Sequence, residues 1–200
     1  MADAGPLVEC LRDRLIEAAD VELTESGTLT GRIEAVAHRA GVSRATAYRQ
    51  VGSVSELLTQ VGLRRAWRYL TGLRDAVDAE AGAIAKLEAA MIYGARVLPL
   101  DSIVADLIAR QFTAGRDPEV YEMMNRMIRP TVEAGQRSGE LRSDIGVDRI
   151  IDYLTEQSYF ATFAEDTSAQ TVSRRFRTFM EPVISPSAGA CNHPPFGPRR

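Results

Sequence analysis

The residues best placed to do chemistry in this chain form one octet, Ser43 to Gln50. Read as a helix, it puts Arg44, Ala45 and Tyr48 within about 100° of arc. Arg44, in the first turn, carries a fork suited to the O6 and N7 atoms of a guanine, and Ala45 is small enough to permit close approach or to touch a thymine methyl. Thr46, Arg49 and Gln50 flank that face as phosphate ligands, helped by the N–H groups of the helix start, where Ser43 is the cap. Between Gly31 and Gly52 stand Arg32, Arg39, Arg44, Arg49 and His38 against a single acid, Glu34. Such local asymmetry is the footprint of a DNA-binding face. Arg32 is a further phosphate contact in this reading.

Other chemistry is sparse. His38 and His193 are the only histidines, and no Ser/His/acid or Cys/His set can be assembled from the chain. It has no phosphate-binding glycine loop and no HExxH pairing. Cys191-Asn192-His193 offers two ligands on a tail, too few for a metal site. No enzyme activity, metal or cofactor is therefore expected. Cys10 and Cys191 lie near opposite ends and form no disulfide framework, which suits a reducing compartment. No run of 18 apolar residues occurs, and the amino terminus lacks the pattern of a secretory signal, so a cytoplasmic protein without a membrane span is expected. Of the 24 basic residues only Lys86 is a lysine. GC-rich coding explains that bias without function, yet it makes almost every cation a guanidinium. A net charge of −3 argues against general polyanion binding and says nothing of a local patch.

The elements that must position the octet read as helices throughout the 200 residues. Val8, Leu11, Leu15, Ala19 and Leu23 form one helical stripe, ended at Gly27. Ile33, Val36, Ala37 and Ala40 form a short helix ending at Gly41. Gly41 permits a turn, Val42 plugs the angle and Ser43 opens the next helix, the spacing of a helix-turn-helix. Thr30 or Thr28 is expected to cap the helix before it. Ser53-Val54-Ser55-Glu56 is a capping box for a long helix reaching about Ala79, with Gly62 and Gly72 as weak points. Further helices are predicted over Ile84 to Leu98, Ser102 to Thr113, from Pro118 with a kink at Pro130, from Val147 to about Glu165, and from Ser168 to Ile184. The expected fold is all-α, with about nine helices. It comprises a helix-turn-helix domain over 1–53, a helical ligand-binding and dimerisation bundle over 54–184, and a disordered tail over 185–200.

The run Ala40-Gly41-Val42-Ser43-Arg44-Ala45-Thr46-Ala47-Tyr48-Arg49-Gln50-Val51, followed by Ser53 and Leu57-Leu58, resembles the signature of TetR-type transcriptional regulators. Arg14 to Ala19, Gly27 and the Ile33, Val36, Ala37 positions fit the same pattern. By motif the resemblance covers about the first 60 residues; beyond them only the helix count and the Gly139 to Asp144 loop are similar. The chain departs from the pattern at Gly31-Arg32, where relatives carry a threonine or serine cap. It departs again at Val54, where many have a phosphate-binding lysine, at Val51, and at Glu34, where some place a base-reading cation.

The resemblance implies a homodimeric regulator, a repressor released from a palindromic operator on double-stranded DNA by a small-molecule effector. Dimer contacts are expected from Tyr153, Gln157, Phe160, Ala164, Phe176, Phe179 and Met180, whose apolar surface exceeds what one partner helix covers. A two-fold dimer should hold its reading helices about 34 Å apart. Met91, Tyr93, Arg96, Phe112, Tyr121, Met124, Met127, Tyr153 and Tyr159 are the candidate pocket for a largely apolar effector, although such stripes also serve simply as core. Arg96, a guanidinium in the most apolar helix, should need an acidic partner or an anionic ligand. The alternative is a helical sensor or carrier that has lost productive DNA binding.

Overall fold

The structure, a computed structural model, describes the backbone of residues 5–113 and 117–186 and the side chains of 11–110 and 117–186. The side chain of Phe112, Cys10, Cys191, His193 and nearly all of the expected tail lie outside the described residues. The elements are α1 (Gly5–Ser26), α2 (Ile33–Arg39), α3 (Arg44–Val51), α4 (Val54–Asp78), α5 (Ala83–Val97), a 3₁₀ turn (Leu98–Leu100), α6 (Ser102–Thr113), α7 (Pro118–Ser138), α8 (Val147–Thr162), α9 (Ala169–Arg175), a π-helical segment (Phe176–Met180) and α10 (Glu181–Ile184). No strand occurs among the described residues. The expected all-α architecture is present.

These elements form two compact units. One comprises the described parts of residues 1–71 and 98–116, the other those of 72–97 and 117–200. The unit that holds the helix-turn-helix therefore also takes in most of α4 and all of α6. Its core joins Leu15, Ala19 and Leu23 of α1 to Val36, Ala37, Ala47, Val51, Leu57 and Val61, with Val42 and Ile103 packed against it. Val42 thus fills the angle between α2 and α3. Gly41 makes that angle possible, with φ +69° and an N–H that donates to the His38 carbonyl at 3.0 Å. Leu107 of α6 is fully buried in the same unit.

In the second unit Leu87, Met91 and Ala95 of α5, Val132 of α7, Ile150, Ile151 and Leu154 of α8, and Phe176, Met180 and Ile184 share one core. Helix α4 runs unbroken through Gly62 and Gly72. At Gly72 an added Cβ would collide with the Tyr93 hydroxyl, so this glycine admits a close approach of α5 to the end of α4 rather than weakening the helix. Helix α7 likewise continues through Pro130, from an Asp117 cap to Gly139 in the left-handed region.

Two local features differ from expectation. Helix α2 has no side-chain cap: Arg32 is the N-cap residue, and Thr28 Oγ accepts instead from the Thr30 N–H at 3.1 Å within the preceding turn. The last helix widens into a π turn at Phe176–Met180, immediately before Pro182. Proline lacks an N–H and its ring crowds the carbonyl four residues back, here Thr178; widening the turn relieves that crowding.

Candidate nucleic-acid interface

Helix α3 is built to present one face. Ala47 and Val51 are buried, while Arg44, Ala45, Tyr48 and Arg49 are exposed and Thr46 and Gln50 are half-buried. Ser43 caps it, its Oγ accepting from the Thr46 N–H at 3.1 Å and lying 2.9 Å from the Thr46 hydroxyl. The Arg44 guanidinium sits over the Tyr48 ring, 5.6 Å from its centroid, in a cation–π contact one helical turn apart. Tyr48 is 37% exposed, a large aromatic left on the surface. The octet thus projects two exposed arginines, a small residue and an aromatic from a capped helix start.

Arg32 pairs with an acid of α1. Its Nε lies 2.9 Å from Glu22 Oε1 on α1, and Arg39, seven residues on, lies 3.6 Å from Glu22 Oε2 and 2.5 Å from Glu25 Oε2. Arg14 of α1 donates to the Ala40 carbonyl at the end of α2. Helix α2 is thus held on α1 by arginine contacts at both ends. Glu34 is exposed, and Val54 is half-buried with the core.

A second network braces the same unit. Asp20, buried on α1, accepts from Arg65 Nε at 2.6 Å and Arg68 Nη2 at 2.7 Å. Arg65 reaches on to Asp101 at 3.3 Å, and Asp101 caps α6 by accepting from the Ile103 and Val104 N–H groups. Burial disfavours the Arg65 cation, but the hydrogen bond to Asp20 and the two carboxylate charges outweigh it and hold its pKa above the ordinary value.

In the second unit, α5, α8 and the final helix border an open groove of about 320 Å³. Its lining brings together Met91 of the expected pocket with Gln157, Phe160, Ala164, Phe179 and Met180 of the expected dimer face, and adds Ala161 and Arg175. Tyr153 donates to the Phe179 carbonyl at 2.9 Å, and Tyr159 packs on Phe163 at 5.0 Å between centroids. Tyr93, Tyr121, Met124 and Met127 are half-buried and do not line this groove.

Three expectations need correction. Arg96 is exposed in the last turn of α5, where the helix dipole favours a cation, so neither acid nor anionic ligand is required of it. Phe176 and Met180 are 0% and 3% exposed, spent in the core of their own unit, whereas Phe160 and Phe179 are 61% and 66% exposed. Phe163 and Val183 share that exposure, which helical periodicity alone does not indicate. A half-buried cation is found instead at Arg110 of α6. Its Nε and Nη2 are shut from solvent without a hydrogen-bond partner among the described residues, although Nε forms an ion pair with Asp106 at 3.0 Å. Two turns of apolar neighbours, Ile103, Val104, Leu107 and Ile108, are the signal in the sequence.

An amino-terminal helix-turn-helix followed by a helical body is the all-α architecture of TetR-type regulators. Among solved structures, the ketosteroid transcriptional regulator KstR2 of Mycobacterium tuberculosis is similar over 88% of this chain and 95% of its own, at 19% identity and a TM-score of 0.50. The fatty acid degradation regulator FadR from Bacillus halodurans is similar over 87% and 96%, at 16% identity and a TM-score of 0.53. No family profile and no curated protein matches the sequence. What is shared with these regulators is the fold.

Proposed function

We propose that this protein is a sequence-specific DNA-binding transcriptional regulator, not an enzyme. The observation that carries the reading is α3 itself: a capped helix within a helix-turn-helix, with Arg44, Ala45, Tyr48 and Arg49 all open to solvent. Arg44 reads a guanine, Ala45 and Tyr48 share its base-reading face, and Thr46, Arg49, Gln50 and Arg32 serve the backbone phosphates. Two copies associate through Phe160, Phe163, Phe179 and Val183, with Tyr153, Gln157 and Ala164 beside them. A palindromic operator then matches the two-fold axis.

In this reading the protein acts as a repressor, released by an effector that favours a dimer whose heads no longer match one helical turn. The effector is an apolar molecule with an anionic group. Support comes from Arg110, whose Nη2 is shut from solvent without a hydrogen-bond partner among the described residues, and from the transcriptional regulators that share the fold. A gel-shift titration with the duplex upstream of the protein's own gene, beside a random duplex of equal length, tests the function. Preference for the upstream duplex is expected.

A second reading, a helical sensor or carrier without productive DNA binding, is favoured by Glu34, an exposed acid on α2. Equal and weak affinity for both duplexes would select it.

A further inference from the structure

Glu22 is a buried acid to which the interface above gives no task. It is 5% exposed on α1, at the middle of the patch where α1 meets α2. A carboxylate at that depth is unfavourable unless cations hold it, and two do: Arg32 at 2.9 Å through Nε and Arg39 at 3.6 Å through Nη2. Arg32 is the N-cap residue of α2 and Arg39 lies in its last turn, so the two cations stand at opposite ends of that helix. Both remain open to solvent, at 47% and 39% of their side chains.

The chemistry of the guanidinium decides what this arrangement can do. It has five N–H donors in a rigid plane, and a single carboxylate engages only part of them. Arg32 approaches Glu22 through Nε at 2.9 Å as an ion pair, which leaves both terminal nitrogens for another anion. Arg39, held through Nη2 by Glu22 and Glu25, keeps Nε and Nη1. Free arginines on a surface must surrender side-chain freedom when they grip a phosphate; these two have surrendered much of it already.

We propose that Glu22 is a positioning residue for DNA binding: from inside the head it aims Arg32 and Arg39 at two phosphates of the duplex backbone. The inference rests on the DNA-binding reading above; it adds Arg39 to the backbone contacts already given to Arg32 and α3, and Glu22 as the group that holds both arginines. Glu22 touches no DNA itself. The competing role, in which Glu22 merely cancels positive charge, makes the opposite prediction.

The test is a titration of the upstream and random duplexes at several salt concentrations with the full chain. Glu22→Gln keeps the shape and removes the anchoring charge. Its affinity for the upstream duplex should fall about five- to tenfold, and the salt slope should flatten by about 0.9 for each phosphate no longer gripped. In the Arg32→Ala, Arg39→Ala background the same substitution should change nothing further, which a purely structural role would not produce. Arg32→Lys, which keeps the charge and leaves the core intact, should lose affinity as Glu22→Gln does, so the proposal stays testable if that variant folds poorly. Unchanged or tighter binding by Glu22→Gln, an undiminished effect in the double-alanine background, or wild-type affinity in Arg32→Lys overturns the assignment. Failure of the wild-type chain to prefer the upstream duplex overturns the DNA-binding reading itself, a separate outcome visible in the same titration.

Discussion

Arg44 and Tyr48 stand one turn apart on α3, and the ring beneath the guanidinium restricts where its fork can point. An exposed pair of this kind contributes about 0.5–1 kcal/mol, a small sum that matters because it acts on the group proposed to read a base. Tyr48→Phe keeps the ring, Tyr48→Leu removes it. Only the leucine variant should lose discrimination at the base pair that Arg44 reads, although both forgo any hydrogen bond made by the hydroxyl. Arg44→Ala is expected to cost about 1–3 kcal/mol at one base pair, whereas Arg49→Ala should weaken all sequences alike and flatten the salt slope. Competition titrations against single-base operator variants separate the two patterns; equal losses on every sequence would undo the assignment of roles. Arg110 offers a different measurement. Arg110→Met removes a buried Nη2 without a hydrogen-bond partner together with a partly exposed ion pair to Asp106, so the effector-free protein should unfold at nearly the same temperature while its response to effector disappears. A marked loss of thermal stability would show that Arg110 serves the fold.

The helices were legible where periodicity and punctuation agree. Gly41, Ser43, Gly52 and Ser53 mark ends that the structure honours, and Ser43 and Ser53 both accept the N–H three residues on. Removing the first of these caps, in Ser43→Ala, should cost about 1 kcal/mol, readable as a lower urea midpoint at unchanged m-value. What periodicity could not supply was context. Whether a guanidinium on an apolar helix is buried depends on its direction relative to a neighbour, and so the reasoning that suited Arg96 applied to Arg110. Phe176 and Phe179 sit three apart and look equivalent as letters, but the π turn assigns one to the core and leaves the other outside. The cause, Pro182, was visible; the form of its effect was not.

That same turn carries Arg177, whose Nε and Nη2 donate to Glu88 at 3.0 and 2.9 Å, with the Ser173 hydroxyl at 2.5 Å. Burial pushes the Glu88 carboxyl up, but these hydrogen bonds and the Arg177 charge overcome it and hold its pKa below the usual glutamate value. A depressed carboxylate pKa contributes stability that is complete above the unfolded value of about 4.3 and is lost as pH falls through the folded one. Stability should therefore decline below about pH 4, and Glu88→Gln should flatten that decline in acid-unfolding curves. An unchanged acid limb would remove Glu88 as the cause.

At the scale of the whole molecule, the exposed aromatics of α8 and the last helix are more than a monomer ordinarily leaves in water. In the dimer proposed above, Phe179→Glu should separate the two copies by sedimentation equilibrium and weaken binding to the upstream duplex, since two heads then act independently. A variant that stays dimeric would place the two-fold contact on another surface. Among the described residues no helix is long and apolar enough to cross a membrane.

The chain leaves the unit of the helix-turn-helix near residue 71, returns to it for residues 98–116, and leaves again. Fully buried Leu107 and Val104 come with that returning stretch. A gene fragment cut after α3 or α4 would strip these side chains from their neighbours and yield an unstable peptide in place of a portable reading head. Grafting the proposed recognition helix onto another protein therefore means transplanting α6 as well, or altering α3 within the intact chain.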